Sequence, residues 1–147
     1  MKKRGCTFCD FNDKKVIIYE DNTVFAVISK RPINKYHVLI IPTQHYELFV
    51  DLPDDVASHI FVLAKQISAA VRKVCNPDAI SHLSDDDIHG IGQNLIAHYK
   101  FHIIPRYKND KVEIDWHREK DPGVKVRANY ANEIKDSIKK LAGSASA

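Results

Sequence analysis

The sequence predicts an α+β fold of about five mostly antiparallel strands, one long helix and a second helix near the C-terminus. Three features carry that expectation. From His98 to Pro105 the side chains alternate at the two-residue period of a strand, with Tyr99, Phe101 and Ile103 on one face and His98, Lys100 and His102 on the other. Val56, Ile60, Leu63, Ile67, Val71 and Val74 recur at threes and fours, which is the stripe of a helix with one buried face. Short runs of β-branched and aromatic residues, separated by polar clusters, supply the other strands.

In chain order, residues 1–13 read as a loop carrying a cysteine pair. Val16 to Tyr19 is a short strand, Glu20-Asp21-Asn22 a turn, and Thr23 to Ser29 a second strand. A polar loop from Arg31 to Lys35 leads to a third strand, His37 to Ile41, which Pro42 ends. Asp51, Pro53, Asp54 and Asp55 signal a helix start: a capping carboxylate, an early proline and negative charge in the first turn. Arg72 and Lys73 lie in its last turn, and Asn76-Pro77 stops it. Asp78 to Leu83 is a fourth strand and Ser84 to Gln93 a polar loop. The histidine-bearing strand opens at His98. After it, Lys111 to Trp116 alternates weakly, Asp121-Pro122-Gly123 is a turn, and Asn129 to Leu141 has helical spacing through Tyr130, Ile134, Ile138 and Leu141. Residues 1–142 are expected to form a single domain, with 143–147 a flexible tail.

Composition narrows the class. The chain has 147 residues, 44% hydrophobic and 28% charged, as expected of one globular domain with its own core. No run approaches the roughly 18–20 apolar residues of a membrane span. The basic start, Met1 to Cys6, has no apolar segment after it and is not a secretory signal, so the expected compartment is the cytoplasm. A net charge of +3 suits a phosphate-bearing ligand but falls short of a nucleic-acid footprint, and neither nucleic acid nor membrane is expected as a partner. Three cysteines do not make a disulfide framework.

Three ionisable groups on one face of an apolar strand are costly to bury without partners, which suggests a site at His98, Lys100 and His102. Cys6-Thr7-Phe8-Cys9 can place two thiolates on one metal, or be a loop with two reduced thiols. His45, directly after the third strand, and His98 would complete a tetrahedral Cys₂His₂ set. Spacing alone cannot bring the four together. Asp85-Asp86-Asp87 reads as a solvated loop, since no ligand set accompanies it.

His98-x-Lys100-x-His102-Ile103-Ile104-Pro105-Arg106 closely resembles the signature of the histidine triad (HIT) family, with Lys100 where the family has its middle histidine. The other parts follow in the family's order from Cys6 to about Asp110: the Cys-x-x-Cys, Tyr19-Glu20-Asp21, Ile41-Pro42-Thr43-Gln44-His45, the long helix and a Gly/Asn/Gln loop. The resemblance implies a HIT-like fold, a homodimer, and a site for a nucleoside phosphate or related phosphorylated small molecule. Its zinc-bearing branch, similar here to galactose-1-phosphate uridylyltransferases, implies a structural zinc on Cys6, Cys9, His45 and His98.

The resemblance also implies roles at the site. The family's middle histidine attacks the α-phosphorus of a nucleoside phosphate ester, anhydride or amidate, and the third, here His102, supports phosphate and leaving-group chemistry. Lys100 departs from this. An unperturbed ammonium has a pKa near 10.4, so about one molecule in a few thousand is a free amine at pH 7. Lys100 is therefore either a lysine nucleophile with a lowered pKa or a fixed phosphate-binding cation. Enzyme activity is open: a divergent nucleotidyl hydrolase or transferase, an inactive nucleotide-binding module and a zinc-stabilised scaffold all fit. Among supporting residues, Gly92, Gln93 and Asn94 match the family's phosphate loop, Ser29 aligns with its ribose-binding position, and Arg106 lies just past the strand within reach of a phosphate.

Overall fold

The computed structural model describes residues 2–84, 96–112 and 120–144. It divides into two compact units, Met1–Val112 and Glu113–Ala147. The first holds a five-stranded sheet and the long helix. Its strands are β1 (Ile17–Glu20), β2 (Val24–Ile28), β3 (Val38–Pro42), β4 (Ala79–Leu83) and β5 (Phe101–Arg106), with helix α1 (Asp54–Cys75) between β3 and β4. The strand order is β1-β2-β3-β5-β4 and every pairing is antiparallel. This is the α+β architecture that the sequence predicts.

Strand β5 lies inside the sheet. Leu39 of β3 and Leu83 of β4 both pair with His102, so that residue is flanked by a strand on each side. One sheet face packs on α1: Val24, Ala26, Val38, Ile40, Tyr99, Phe101 and Ile103 form a core with Val56, Ile60, Leu63, Ala64, Ile67 and Val71 of the helix. The opposite face is covered by the N-terminal loop, whose Cys6, Phe8 and Cys9 pack with Phe25, Val27, Leu39 and Ile41. The alternation read from the sequence thus sorts one segment between two cores: its apolar set meets the helix, while on the other face His98 and Lys100 meet the cysteine loop and His102 meets His37.

Four details differ from expectation. The ladder of β5 begins at Phe101, not His98; residues 96–98 form a bend in which His98 N–H donates to the Ile96 carbonyl. Pro42 belongs to β3 rather than ending it, because Val24 is its partner and its missing N–H costs no ladder bond there. Asp51 does not cap α1. It sits in a short 3-10 turn (Phe49–Asp51), while Pro53 occupies the cap without a side-chain bond and Asp54 and Asp55 supply first-turn negative charge. Val74 leaves the buried stripe, being 67% exposed one residue before the helix ends.

The second unit contains α2 (Val124–Ser144), which starts five residues before the expected Asn129 and takes in Gly143 and Ser144 of the expected tail. Lys139 and Asp136 pair along it. The expected Ser84–Gln93 loop beyond Ser84, the later part of the weak alternation at 113–116 and the tail end at 145–147 lie outside the described residues.

Candidate functional site

The non-helical sheet face carries two adjacent constellations, and His98 belongs to one while its carbonyl belongs to the other. In the first, Cys6 and Cys9 come from the N-terminal loop, His45 from the loop after β3, and His98 from the bend before β5. Their ligand atoms all lie within 4.8 Å of one another. Cys6 Sγ is 3.4 Å and Cys9 Sγ 3.7 Å from His98 Nδ1; Cys9 Sγ is 3.5 Å from His45 Nδ1; the two Nδ1 atoms are 3.2 Å apart.

These four separations, 3.2–3.7 Å, are close to the edges of a zinc tetrahedron. Zinc bonds of about 2.0–2.3 Å to nitrogen and sulfur imply ligand–ligand spacings of about 3.3–3.8 Å. The histidine tautomers agree. His98 Nε2 lies 3.0 Å from the Pro42 carbonyl and His45 Nε2 lies 3.2 Å from Glu47 Oε1, so each Nε2 carries the proton and each Nδ1 presents a lone pair. Two lone pairs aimed at one point beside two sulfurs repel unless a cation lies between them. The donor set therefore fits a metal, and two sulfurs with two imidazoles suit zinc. A cation here would cross-link the N-terminal loop, the loop after β3 and the approach to β5.

The second constellation is built on Lys100 and His102. Lys100 is 8% exposed; its Nζ donates to the carbonyls of Ile96 (3.0 Å) and His98 (3.1 Å) and lies 5.7 Å from the centroid of the Phe8 ring. Phe8 also meets His98 edge-on. His102 faces His37, a buried residue directly before β3, with His37 Nε2 and His102 Nδ1 3.0 Å apart. The chain sets the protons of this pair. Ile33 N–H donates to His37 Nδ1, which leaves His37 with its proton on Nε2. That proton goes to His102 Nδ1, so neutral His102 carries its own proton on Nε2. Burial pushes both imidazoles down to about 4, and each lies close to a second basic group, His102 beside His37 and Lys100. Both are neutral at pH 7, and His102 offers an N–H, not a lone pair.

The other expected residues fall into distinct places. Ser29 follows β2 directly, half-buried, with its N–H on the His37 carbonyl. Arg106 is held by Asp110, through Nε at 2.7 Å and Nη2 at 2.8 Å, and also bonds Ser81 and the Val112 carbonyl. Asn34 ties the same Asp110 carboxylate to the Pro105 carbonyl. Gly92, Gln93 and Asn94 lie outside the described residues, as do Asp85 to Asp87.

Sequence reasoning underweighted His37, Lys3, Glu47 and His59. His59 on α1 bonds Asp21, whose other oxygen accepts Thr23 and Val24 N–H groups. Burial raises the Asp21 carboxyl, but those bonds and the Tyr19 hydroxyl outweigh it and hold the group below the carboxylate range. The visible signal was Tyr19-Glu20-Asp21; its partner sits 38 residues away from Asp21.

A HIT domain model matches residues 10–109, and the chain belongs to the HIT family. Among curated relatives, an uncharacterised HIT-like protein of Saccharolobus solfataricus is 32% identical over 111 residues, 71% of this chain and 76% of that protein. A bifunctional bis(5'-adenosyl)-triphosphatase/adenylylsulfatase of Arabidopsis thaliana is 27% identical over 140 residues, 91% of this chain and 76% of that one. Among solved structures, a HIT family protein from Bacillus anthracis superposes with a TM-score of 0.80 at 27% identity, covering 91% of this chain and 97% of its own. A zinc-bound histidine triad family protein from Mycobacterium smegmatis shares the fold with a TM-score of 0.64 at 22% identity, covering 95% and 97%.

Proposed function

We propose that the chain binds a nucleoside phosphate, or a closely related phosphorylated small molecule, and holds it without forming a covalent nucleotidyl intermediate. The observation that carries this reading is the placement of Lys100 Nζ between the carbonyls of Ile96 and His98 with the Phe8 ring beside it. Carbonyl oxygens and an aromatic face all favour positive charge at that nitrogen. His102 adds an Nε2–H donor. Lys100 and His102 then offer a cation and a neutral donor to phosphate oxygens, and neither offers the lone pair that would attack phosphorus.

In this reading Ser29 meets the ribose, Gly92, Gln93 and Asn94 supply donors to the phosphates, and Arg106 is the strut that secures the end of β5. Cys6, Cys9, His45 and His98 hold a structural zinc. The protein works as a cytoplasmic homodimer, an assembly supported by β4 at an open sheet edge and by exposed Phe61 and Val62 on α1. No helix among the described residues is long and apolar enough to cross a membrane. The Arabidopsis relative's diadenosine triphosphatase activity supports a nucleotide as the ligand class.

The test pairs calorimetric titration with adenosine and guanosine monophosphates, phosphoramidates and dinucleoside polyphosphates with chromatographic assay of turnover. The expected outcome is binding without turnover, a loss of affinity of about 10–100-fold in Lys100→Ala as a charge-assisted bond disappears, and turnover appearing in Lys100→His. Turnover by the parent chain that vanishes in Lys100→Ala would replace this reading with a lysine-nucleophile enzyme.

A further inference from the structure

His45 differs from its three companions in the cysteine–histidine cluster. It lies in the loop after β3 and is only partly buried, where the other three are buried. What sets its ring is a chain of two exposed residues. Its Nε2 is 3.2 Å from Glu47 Oε1, and the same oxygen receives Lys3 Nζ at 2.7 Å. The backbone N–H of Lys3 points at Cys9 Sγ, 3.3 Å away. Lys3 thus touches one ligand through its backbone and a second through Glu47, although 44 positions separate the two residues.

We propose that Glu47 and Lys3 are positioning residues of the metal centre: Glu47 holds His45 in the tautomer whose Nδ1 faces the metal, and Lys3 anchors Glu47 while donating its N–H to Cys9. This rests on reading Cys6, Cys9, His45 and His98 as a metal site. The chemistry is general. A ligating imidazole that donates its distal N–H to a carboxylate is fixed in orientation and made a better donor. Two thiolates, two neutral imidazoles and a divalent ion sum to zero charge, and a lone carboxylate beside them would add an excess negative charge. Lys3 removes it. The Lys3–Glu47 pair is solvent-exposed, with side chains 57% and 47% accessible, so its direct share in folding is small. Its effect belongs in metal affinity.

The experiment uses the full chain with Glu47→Ala, Glu47→Gln, Lys3→Ala and the Lys3→Ala/Glu47→Ala double variant. Zinc affinity is read by competition with a chromogenic chelator, and cobalt(II) absorption reports the ligand set. Lys3→Ala keeps the backbone N–H and removes only the ammonium. Expected are a loss of about tenfold or more in zinc affinity for Glu47→Ala with tetrahedral cobalt bands retained, a smaller loss for Glu47→Gln, and a Lys3→Ala loss that disappears in the Glu47→Ala background. Wild-type affinity in both Glu47 variants overturns the proposal while leaving the metal site standing, and so does a Lys3→Ala loss that adds in full. Failure of the unmodified chain to take up zinc overturns the metal site and the proposal together.

Discussion

His102 has its donor pattern decided by atoms it does not touch. The Ile33 N–H claims His37 Nδ1, the His37 Nε2–H donates to His102 Nδ1, and His102 is left to donate from Nε2. The pair also gives stability a pH signature. Folded values near 4 lie below the unfolded value of about 6.5, so the unfolded chain binds more protons in that interval. The associated stability is fully present above about pH 6.5 and is lost as pH falls toward 4. Urea midpoints of chelator-treated protein should fall from pH 7 to pH 4.5, and His102→Asn should make that decline shallower. Equal slopes would show that the pair is not buried neutral. The sequence made His98, Lys100 and His102 visible because a strand's period puts them on one face. His37 was harder to weigh: nothing local shows that a residue opening one strand will meet a residue 65 positions later.

Among the elements, α1 follows most directly from sequence. Its stripe is written in the spacing, and five of the six predicted positions are buried: Val56, Ile60, Leu63, Ile67 and Val71. The sixth, Val74, lies in the last turn of the helix and is exposed. The difference is measurable. Ile60→Ala, at a position with no exposure, should cost about 2–5 kcal/mol in chemical denaturation. Val74→Ala should change stability by no more than about 0.5 kcal/mol. A similar cost at both would mean that the helix end is packed. The strands were legible as runs of residues, but their order was not. β3 and β5 are neighbours because α1 and β4 intervene in sequence and not in the sheet. The bend at 96–98 was likewise hidden, since the alternation from His98 to Pro105 reads as strand from its first residue.

For the molecule as a whole, the N-terminal loop covers the second sheet face, and a metal held by Cys6, Cys9, His45 and His98 would fasten it there. Removing a bound metal should therefore loosen the loop and lower Tm. At free zinc a thousandfold above Kd, binding contributes about 4 kcal/mol, which corresponds to on the order of 10 °C or more for a domain of this size. Calorimetry with and without a chelator measures it, with Cys6→Ser as control. A chelator that leaves Tm unchanged in the parent chain would remove the fastening role. By itself the sequence determined the α+β class, the buried face of α1, the two faces of β5 and the identity of the four candidate ligands. Periodicity and residue chemistry are local, and they are enough for the first three; the four ligands were joined as a set only by the resemblance to the HIT family. Only the tertiary structure decided that Cys6 and His98, 92 positions apart, bring ligand atoms within 3.4 Å, that Lys100 is gripped by two carbonyls beside Phe8, and that Arg106 is held by Asp110. Each of these depends on strand order and loop path, which the chain sets through the packing of two cores on one sheet and which no local pattern records.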